Sequence, residues 1–325
     1  MKKLTLTLII ALLLNNVYGQ EKNEEFKPNG KPFIRVFTNY HSTFSDGESF
    51  NAFELQRAYL GYSYNFSEKF SGKVNIDIAD PGVGKLQMTA YIKNAYIQYQ
   101  DDKLTAKIGM IGLHQFELQE KQWGGRYLFK SFQDEYKFGN SADLGVALSY
   151  NLAKNISVDA SITNGEGYKS IETDSIFKYS AGVTLQPIKG VDVRAYYDYM
   201  GNDDAQQTVS LYAGYTEKNL KLGVEYNRQV NNKMSADKDL DGFSLFGSYN
   251  LKKSRLFARY DKLSSNTLAS ATNPWNYSKN GTMFIAGLEF PIVKGLLVTP
   301  NYQSWNPANG APSINSIYLS LDIKL

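Results

Sequence analysis

The sequence predicts an all-β fold, a transmembrane antiparallel β-barrel of about 16 strands. Segments of roughly ten residues alternate between apolar and polar side chains, as in strands with one face in lipid and one in water. The connections between these segments are long at one end and tight at the other. After residue 19 no stretch approaches the ~18 continuous apolar residues of a membrane-spanning helix. A membrane span would therefore have to be a closed barrel.

The first 19 residues are predicted to be a secretory signal peptide. Lys2 and Lys3 supply its positive charge, residues 4–14 form an apolar run too short to span a membrane, and Gly19 is a small residue at the cleavage position. The alternative, a buried N-terminal helix, is disfavoured because a charged polar stretch follows at once. Residues 20–31 are then a polar periplasmic leader, and residues 32–325 are assigned to the outer-membrane β-barrel.

The composition agrees with a barrel and narrows the classes of function. The chain has 24 tyrosines and 26 glycines against 9 prolines, which suits alternating strands with aromatic girdles. It has no cysteine, so a lipoprotein anchor, a thiol nucleophile and a thiolate metal site are excluded. Removal of Lys2 and Lys3 lowers the formal charge from +3 to 3 − 2 = +1, and this near balance disfavours nucleic-acid binding.

The strands are assigned from the period-two alternation. The last one is among the clearest, because Ile317, Leu319, Leu321 and Ile323 alternate with polar residues and one tyrosine. The predicted strands begin near residues 32, 52, 69, 89, 103, 141, 155, 176, 190, 206, 219, 242, 254, 281, 294 and 313.

The connections support the same architecture. Odd-numbered strands are expected to be followed by long polar loops, and even-numbered strands by tight turns such as Asp101-Asp102 and Lys252-Lys253. This alternation is typical of external loops and periplasmic turns. Both termini would then be periplasmic, with the last strand closing against the first. The predicted long loops are residues 112–140, 164–175, 231–241, 262–280 and 303–312.

Four sequence blocks, at residues 53–61, 93–109, 140–148 and 163–167, resemble in order and spacing the phosphate-selective porin O/P family. The resemblance covers about residues 50–170. It implies a sixteen-stranded porin in the outer membrane of a Gram-negative bacterium, usually a homotrimer, with the third loop folded inward as the constriction. Specific members use an arginine ladder and a lysine after the strand that ends here at Gly109. This chain has residues 111–114, Ile-Gly-Leu-His, at that place, so phosphate or pyrophosphate selectivity is only an alternative.

The longest connection, residues 112–140, is expected to fold into the lumen. Its aromatic residues are too numerous for a solvated loop and need burial. A surface cap is the alternative. The candidate residues of this constriction loop are His114, Lys121, Trp123, Arg126, Tyr127 and Lys130.

The polar parity of each strand is assigned to the channel lumen. Acidic and basic residues nearly cancel there, so we expect at most a mild preference for anions. Ion pairs that brace the barrel wall are an equally good interpretation of any single residue. The candidate channel-lining and substrate-binding residues are Arg35, Arg57, Lys73, Asp77, Lys107, Arg194, Arg255 and Arg259.

The expected function is a water-filled channel for passive diffusion of small hydrophilic solutes or ions, surrounded by outer-membrane lipid and lipopolysaccharide. The alternative is a non-conducting surface barrel that binds a partner through its external loops, but sixteen strands leave a channel. Neither His41 nor His114 has a recognisable spacing to serine or aspartate, so no enzyme is expected.

One external loop contains a possible calcium site. Asp237, Asp239, Asp241 and Gly242 match the first half of a calcium-binding loop. Position twelve is Ser248 instead of glutamate, which excludes an EF-hand. A weaker calcium site and a polar turn closed by Asp-Gly both stay open. No other cofactor is expected.

Overall fold

The computed structural model describes residues 26–81 and 88–325. The predicted signal peptide and the first part of the predicted leader lie outside these residues. Within them, sixteen antiparallel strands form one closed barrel, as the alternation predicted. The strands are β1 (Asn29–Ser45), β2 (Glu48–Asn65), β3 (Phe70–Ala79), β4 (Thr89–Gln100), β5 (Leu104–Gly112), β6 (Ala142–Ala153), β7 (Ile156–Thr163), β8 (Lys178–Leu185), β9 (Val191–Met200), β10 (Gln206–Glu217), β11 (Leu220–Val230), β12 (Leu240–Asn250), β13 (Arg255–Ser265), β14 (Gly281–Val293), β15 (Leu296–Pro307) and β16 (Ile314–Lys324).

The first and last strands close the barrel. They pair from Arg35 opposite Lys324 to Phe44 opposite Asn315, and every other strand pairs with its neighbours in sequence. Closure satisfies strand edges that would otherwise present unpaired backbone groups. Strand β1 begins at Asn29, earlier than the predicted residue 32.

The alternation of long and short connections holds except at two places, where the prediction was wrong. Asp46 and Gly47 alone join β1 to β2, and residues 201–205 join β9 to β10. Asp46 and Gly47 have φ values of 51° and 79°, the left-handed conformation that two-residue hairpin turns require. Asp-Gly is a known signal for such a turn, so the short connection between β1 and β2 could have been predicted from the sequence.

The strands turn an apolar face outward and a largely polar face inward. In β10, Val209 and Leu211 are exposed, whereas Thr208, Ser210 and Tyr212 are buried. The same alternation runs through the neighbouring strands and produces a belt of exposed apolar side chains around the barrel. Among the described residues, no helix is long and apolar enough to cross a membrane.

The connection between β5 and β6, residues 113–141, is the longest described one and is called the β5–β6 loop. It contains two short helices, α1 (Glu117–Trp123) and α2 (Phe132–Glu135). Helix α1 ends at Gly124, whose φ of 66° gives the left-handed C-cap that glycine favours. A 3₁₀ turn, Asn232–Met234, lies between β11 and β12.

Candidate channel and constriction

Aromatic residues of the β5–β6 loop pack against inward-facing side chains of the barrel. The ring of Trp123 lies 5.8 Å from the rings of both Phe246 and Phe257, edge to face. Tyr127 lies 6.2 Å from Phe37 on β1. Trp123 is 2% exposed and Tyr127 1%. Both residues therefore hold the loop against the inner wall by burying large aromatic surfaces.

Polar side chains of the wall hold the backbone of the same loop. Arg194 Nη2 donates to the His114 carbonyl at 3.0 Å, and Arg259 Nη1 donates to the Lys130 carbonyl at 2.7 Å. Gln229 Nε2 donates to the Phe138 carbonyl at 3.0 Å. A backbone carbonyl removed from water needs such a partner. Because these donors belong to β9, β11 and β13, the loop covers that half of the wall.

The predicted arginines on the covered half, Arg194, Arg255 and Arg259, lie between wall carboxylates and the backbone of the loop. Arg194 is 4% exposed and Arg259 2%. Arg255 forms two hydrogen bonds with Glu289, at 3.1 and 2.7 Å, and its Nη1 lies 3.4 Å from the Trp123 carbonyl. Each arginine therefore neutralises a wall carboxylate and also holds the loop. The ion pairs on this half are Arg194–Asp159, Lys178–Asp198, Arg255–Glu289 and Arg259–Asp261.

Strands β1 to β5 contribute none of these donors to the loop backbone and are called the open half. Arg35 and Arg57, two of the predicted lining residues, are both partly exposed. Arg35 Nε lies 2.8 Å from Asp322, and Arg57 Nε lies 3.3 Å from the buried Asp77. Tyr168 donates a further hydrogen bond to Asp77 at 2.6 Å. Both arginines on this half are thus compensated.

Three lysines on the open half have no such partner. In the part of the chain that the structure describes, no carboxylate oxygen lies within 4.0 Å of the ammonium groups of Lys73, Lys93 or Lys107. Each ammonium instead lies near an aromatic ring: Lys73 is 4.9 Å from the ring centre of Phe33, Lys93 5.2 Å from that of Tyr59, and Lys107 5.7 Å from that of Tyr96. The open half therefore carries three positive charges without a direct ion pair, although Glu117 acts electrostatically on Lys73 and Lys107, and Asp134 on Lys93, at longer range.

Lys93 was missed by the sequence prediction because β4 contains a β-bulge. The pairing with β3 shifts between Asn75 and Ile76, so that Asn94 and Ile92 have partners and Lys93 is the extra residue. A bulge changes the side to which the following side chains point. Unbroken alternation would have placed Lys93 on the apolar outer face.

A cavity of about 190 Å³ lies between β2 and the β5–β6 loop. A second bulge shapes it: the β1–β2 pairing shifts between Phe37 and Thr38, and the extra residue is Gln56. Both Gln56 and its neighbour Arg57 line the cavity as a result. The polar and charged residues around it are Glu54, Gln56, Arg57, Arg126, Lys130 and Glu135.

The charged loop residues predicted for the constriction have different environments. Arg126 lies 3.3 Å from Glu120 and 3.1 Å from Asp134, and Lys130 lies 3.4 Å from Glu135. Both cations border the cavity. Lys121 is exposed.

The two histidines also have defined neighbours. His114 Nδ1 lies 3.0 Å from Glu117, and this hydrogen bond lowers the pKa of the Glu117 carboxyl. His41 lies between the rings of Phe50 and Tyr318, at 5.9 and 5.2 Å. Neither of these arrangements resembles a nucleophile–base pair.

The structure does not gather the three predicted calcium ligands. Asp239 and Asp241 lie 3.4 and 3.8 Å from two nitrogens of Arg228, so an arginine occupies the place between them. Among the described residues, the acidic group whose ligand atoms lie within 4.8 Å of one another is Glu166, Glu172 and Asp174. Calcium binding by the loop that contains Asp237 stays a prediction.

Comparisons with known proteins agree on the fold. No family model matches the chain, and no curated protein matches it. Solved structures do. The outer membrane channel DcaP of Acinetobacter baumannii is 13% identical with a TM-score of 0.71, covering 94% of this chain and 99% of its own. Salmonella typhi OmpF, in complex with daunomycin, is 13% identical with a TM-score of 0.66 over 91% and 97% of the two chains.

A third similar structure is a trimer. OmpT, an outer membrane protein of Vibrio cholerae, is 14% identical in its trimer form, with a TM-score of 0.60 over 92% of this chain and 100% of its own. At these identities the likeness concerns the fold: a sixteen-stranded barrel of the type found in outer-membrane channels.

Proposed function

We propose that the protein is a porin in the outer membrane of a Gram-negative bacterium and forms a water-filled channel for passive diffusion of small hydrophilic solutes. The belt of exposed apolar residues fits the hydrocarbon core of a membrane, and the closed barrel leaves no unpaired strand edge in it. The fold shared with DcaP supports the same conclusion. A homotrimer is part of the proposal, supported by the trimeric form of the V. cholerae protein.

One observation carries the proposal: the wall hydrogen bonds to the backbone of the β5–β6 loop come from β9 to β13, whereas Lys73, Lys93 and Lys107 on β3 to β5 remain partly exposed. The hydrogen bonds from Arg194, Gln229 and Arg259 fix the loop over β9 to β13. Solutes would then pass along β1 to β5, beside Lys73, Lys93 and Lys107. Sixteen strands enclose enough space for such a path.

The channel should prefer anions mildly. Charge of one sign along a pore attracts the opposite ion. The three lysines have no direct ion pair among the described residues, and Glu117 and Asp134 act on them only at longer range. The arginines of the lumen are paired with carboxylates and add little to the preference for anions. Bidentate arginine pairs make the strongest phosphate sites, and the arginines of this lumen are already paired with carboxylates, so selectivity for phosphate is the less favoured alternative.

The test is single-channel recording of the refolded protein in a planar bilayer with a potassium chloride gradient. The reversal potential should show a modest preference for chloride. Replacing Lys73, Lys93 and Lys107 by glutamine should reduce or abolish that preference. Replacing Lys189, Lys252 and Lys253, which lie in exposed turns, removes the same charge and is the matched control.

Other results would contradict the proposal in different ways. An unchanged reversal potential in the triple variant would show that these lysines do not set selectivity. Strong block by phosphate at low concentration would favour a phosphate-selective porin. Absence of conductance from protein shown to be folded would favour the surface barrel that binds a partner through its loops.

A further inference from the structure

We propose that the cavity between β2 and the β5–β6 loop is a binding site for a neutral polyhydroxylated solute, of the size of a single sugar ring. The proposal rests on the channel function and names a class of solute for it. The cavity measures about 190 Å³, which accommodates several water molecules or one small ligand.

The charges around the cavity are already compensated, which disfavours a strongly charged ligand. Arg126 is paired with Glu120 and Asp134, at 3.3 and 3.1 Å. Lys130 is paired with Glu135 at 3.4 Å, and Arg57 with Asp77 at 3.3 Å. An anion that bound these cations would have to compete with their carboxylates. A neutral solute avoids this competition.

Hydrogen-bonding capacity nevertheless remains in the cavity. The side-chain amide of Gln56 makes no hydrogen bond with another of the described residues, although the bulge directs it to the cavity. An amide offers two donors and an acceptor oxygen. Glu54 accepts one hydrogen bond, from Asn39 at 2.9 Å, and a carboxylate can accept about four. A polyol carries both donors and acceptors and could satisfy the two side chains together.

An aromatic side chain completes the site. Phe129 borders the cavity and is partly exposed. Its ring is held in place, because the Arg259 guanidinium lies 5.4 Å from its centre. The C–H faces of a sugar ring are apolar and pack well against such a ring, while the hydroxyls reach the polar residues. Adjacent donors, acceptors and an aromatic surface suit a carbohydrate better than an inorganic ion.

The experiment measures block of the channel by D-glucose in planar bilayers, with the full-length refolded protein. Glucose should reduce the conductance in a saturable way. Replacing Gln56 by methionine keeps the bulk of the side chain and removes the amide that would bond the solute, so the half-blocking concentration should rise roughly three- to tenfold. Gln98, which pairs with Gln100 at 2.8 Å away from the cavity, gives the control: Gln98→Met should leave the block unchanged.

Each remaining result overturns one proposal. A decrease that never saturates and follows solution viscosity alone, or an identical block in Gln56→Met, refutes the site. Stronger block by glycine or by inorganic phosphate than by glucose would assign the cavity to ions instead. Folded protein without conductance refutes the channel function. In that case calorimetry of glucose binding to the detergent-solubilised protein still decides whether the site exists.

Discussion

The buried ion pair between Arg259 and Asp261 should be essential for stability. Arg259 Nε and Nη2 bond both oxygens of Asp261, at 2.8 and 2.7 Å, and Nη1 donates to the Lys130 carbonyl at 2.7 Å. The side chains are 1% and 0% exposed. Replacing Arg259 by methionine fills similar space but leaves a buried carboxylate and a loop carbonyl without their donors.

The expected cost is large because one member of a buried pair is removed. Such changes destabilise proteins by about 3–5 kcal/mol, which is roughly a hundredfold to several-thousandfold change in the unfolding equilibrium. Replacing both Arg259 by methionine and Asp261 by leucine should cost less than the single change, since no unpaired charge is then left. The lost bond to the Lys130 carbonyl should still cost about 1 kcal/mol.

The assay is urea unfolding of the refolded barrel in phospholipid vesicles, followed by tryptophan fluorescence and extrapolated linearly to water. The exposed pair of Arg228 and Asp239 supplies the comparison. Arg228 is 52% exposed and lies 3.4 Å from its partner, so Arg228→Met should cost only about 0–1 kcal/mol. The reasoning is refuted if Arg259→Met costs no more than Arg228→Met, or if the double variant is destabilised by the sum of the single changes.

Three further predictions concern other parts of the barrel. Trp123→Ala should weaken docking of the β5–β6 loop by about 3–5 kcal/mol, seen as faster proteolysis of the loop and noisier open-channel current. The pKa of Asp101 is lowered by hydrogen bonds from the backbone of Leu104 and Lys103. The Asp101 carboxylate therefore stabilises the turn fully above the ordinary carboxyl pKa, and this stabilisation is lost as pH falls through the lowered pKa. The protection factor of the Leu104 amide, which compares its exchange rate with that of an unstructured peptide at the same pH, should therefore fall at low pH, but not in Asp101→Asn. If the loop at residues 237–241 binds calcium, Arg228→Gln should tighten binding in a calorimetric titration by freeing two carboxylates.

The strand positions could be predicted from the sequence because the lipid-facing side imposes period two. Strand β10 was predicted to begin at residue 206 and does so at Gln206. The last strand was predicted near 313 and begins at Ile314. A single-residue slip would exchange the apolar and polar faces of a strand. The side to which each residue points can therefore be predicted from one strand alone.

The same rule failed where a strand carries an extra residue. Ile92 and Ile97 are both exposed on the outer face, although an odd number of positions separates them. Leu55 and Leu60 show the same break in β2. Each break marks a bulge, since strict alternation cannot place two such residues on one face. Two apolar residues an odd number of positions apart in one strand, such as Ile92 and Ile97, would have indicated the bulge and identified Lys93 as inward-facing.

The inward course of the β5–β6 loop was suggested by its aromatic residues, but its docking half was not predictable. The choice depends on contacts between distant segments. Gln133 in the loop donates to Ser210 at 2.9 Å, and Gln303 donates to the Leu128 carbonyl at 3.3 Å. Glutamines at inward positions carry no sequence pattern that distinguishes a loop anchor from a residue in contact with water. The composition of the lumen could be inferred, but its division into covered and open halves could not.

The attachment of the loop depends on the chemistry of the guanidinium at Arg194 and Arg259. A guanidinium has five donors in a rigid plane, so Arg259 can bind a carboxylate with two nitrogens and a loop carbonyl with the third. Arg194 binds Asp159 through Nη1 and Nη2, and the same Nη2 also donates to the His114 carbonyl. A lysine ammonium is compact and strongly hydrated, and Lys73 lies on the open half beside an aromatic ring, without a direct ion pair. Because Arg194 and Arg259 each hold a wall carboxylate and a loop carbonyl at once, replacing either by lysine is not conservative.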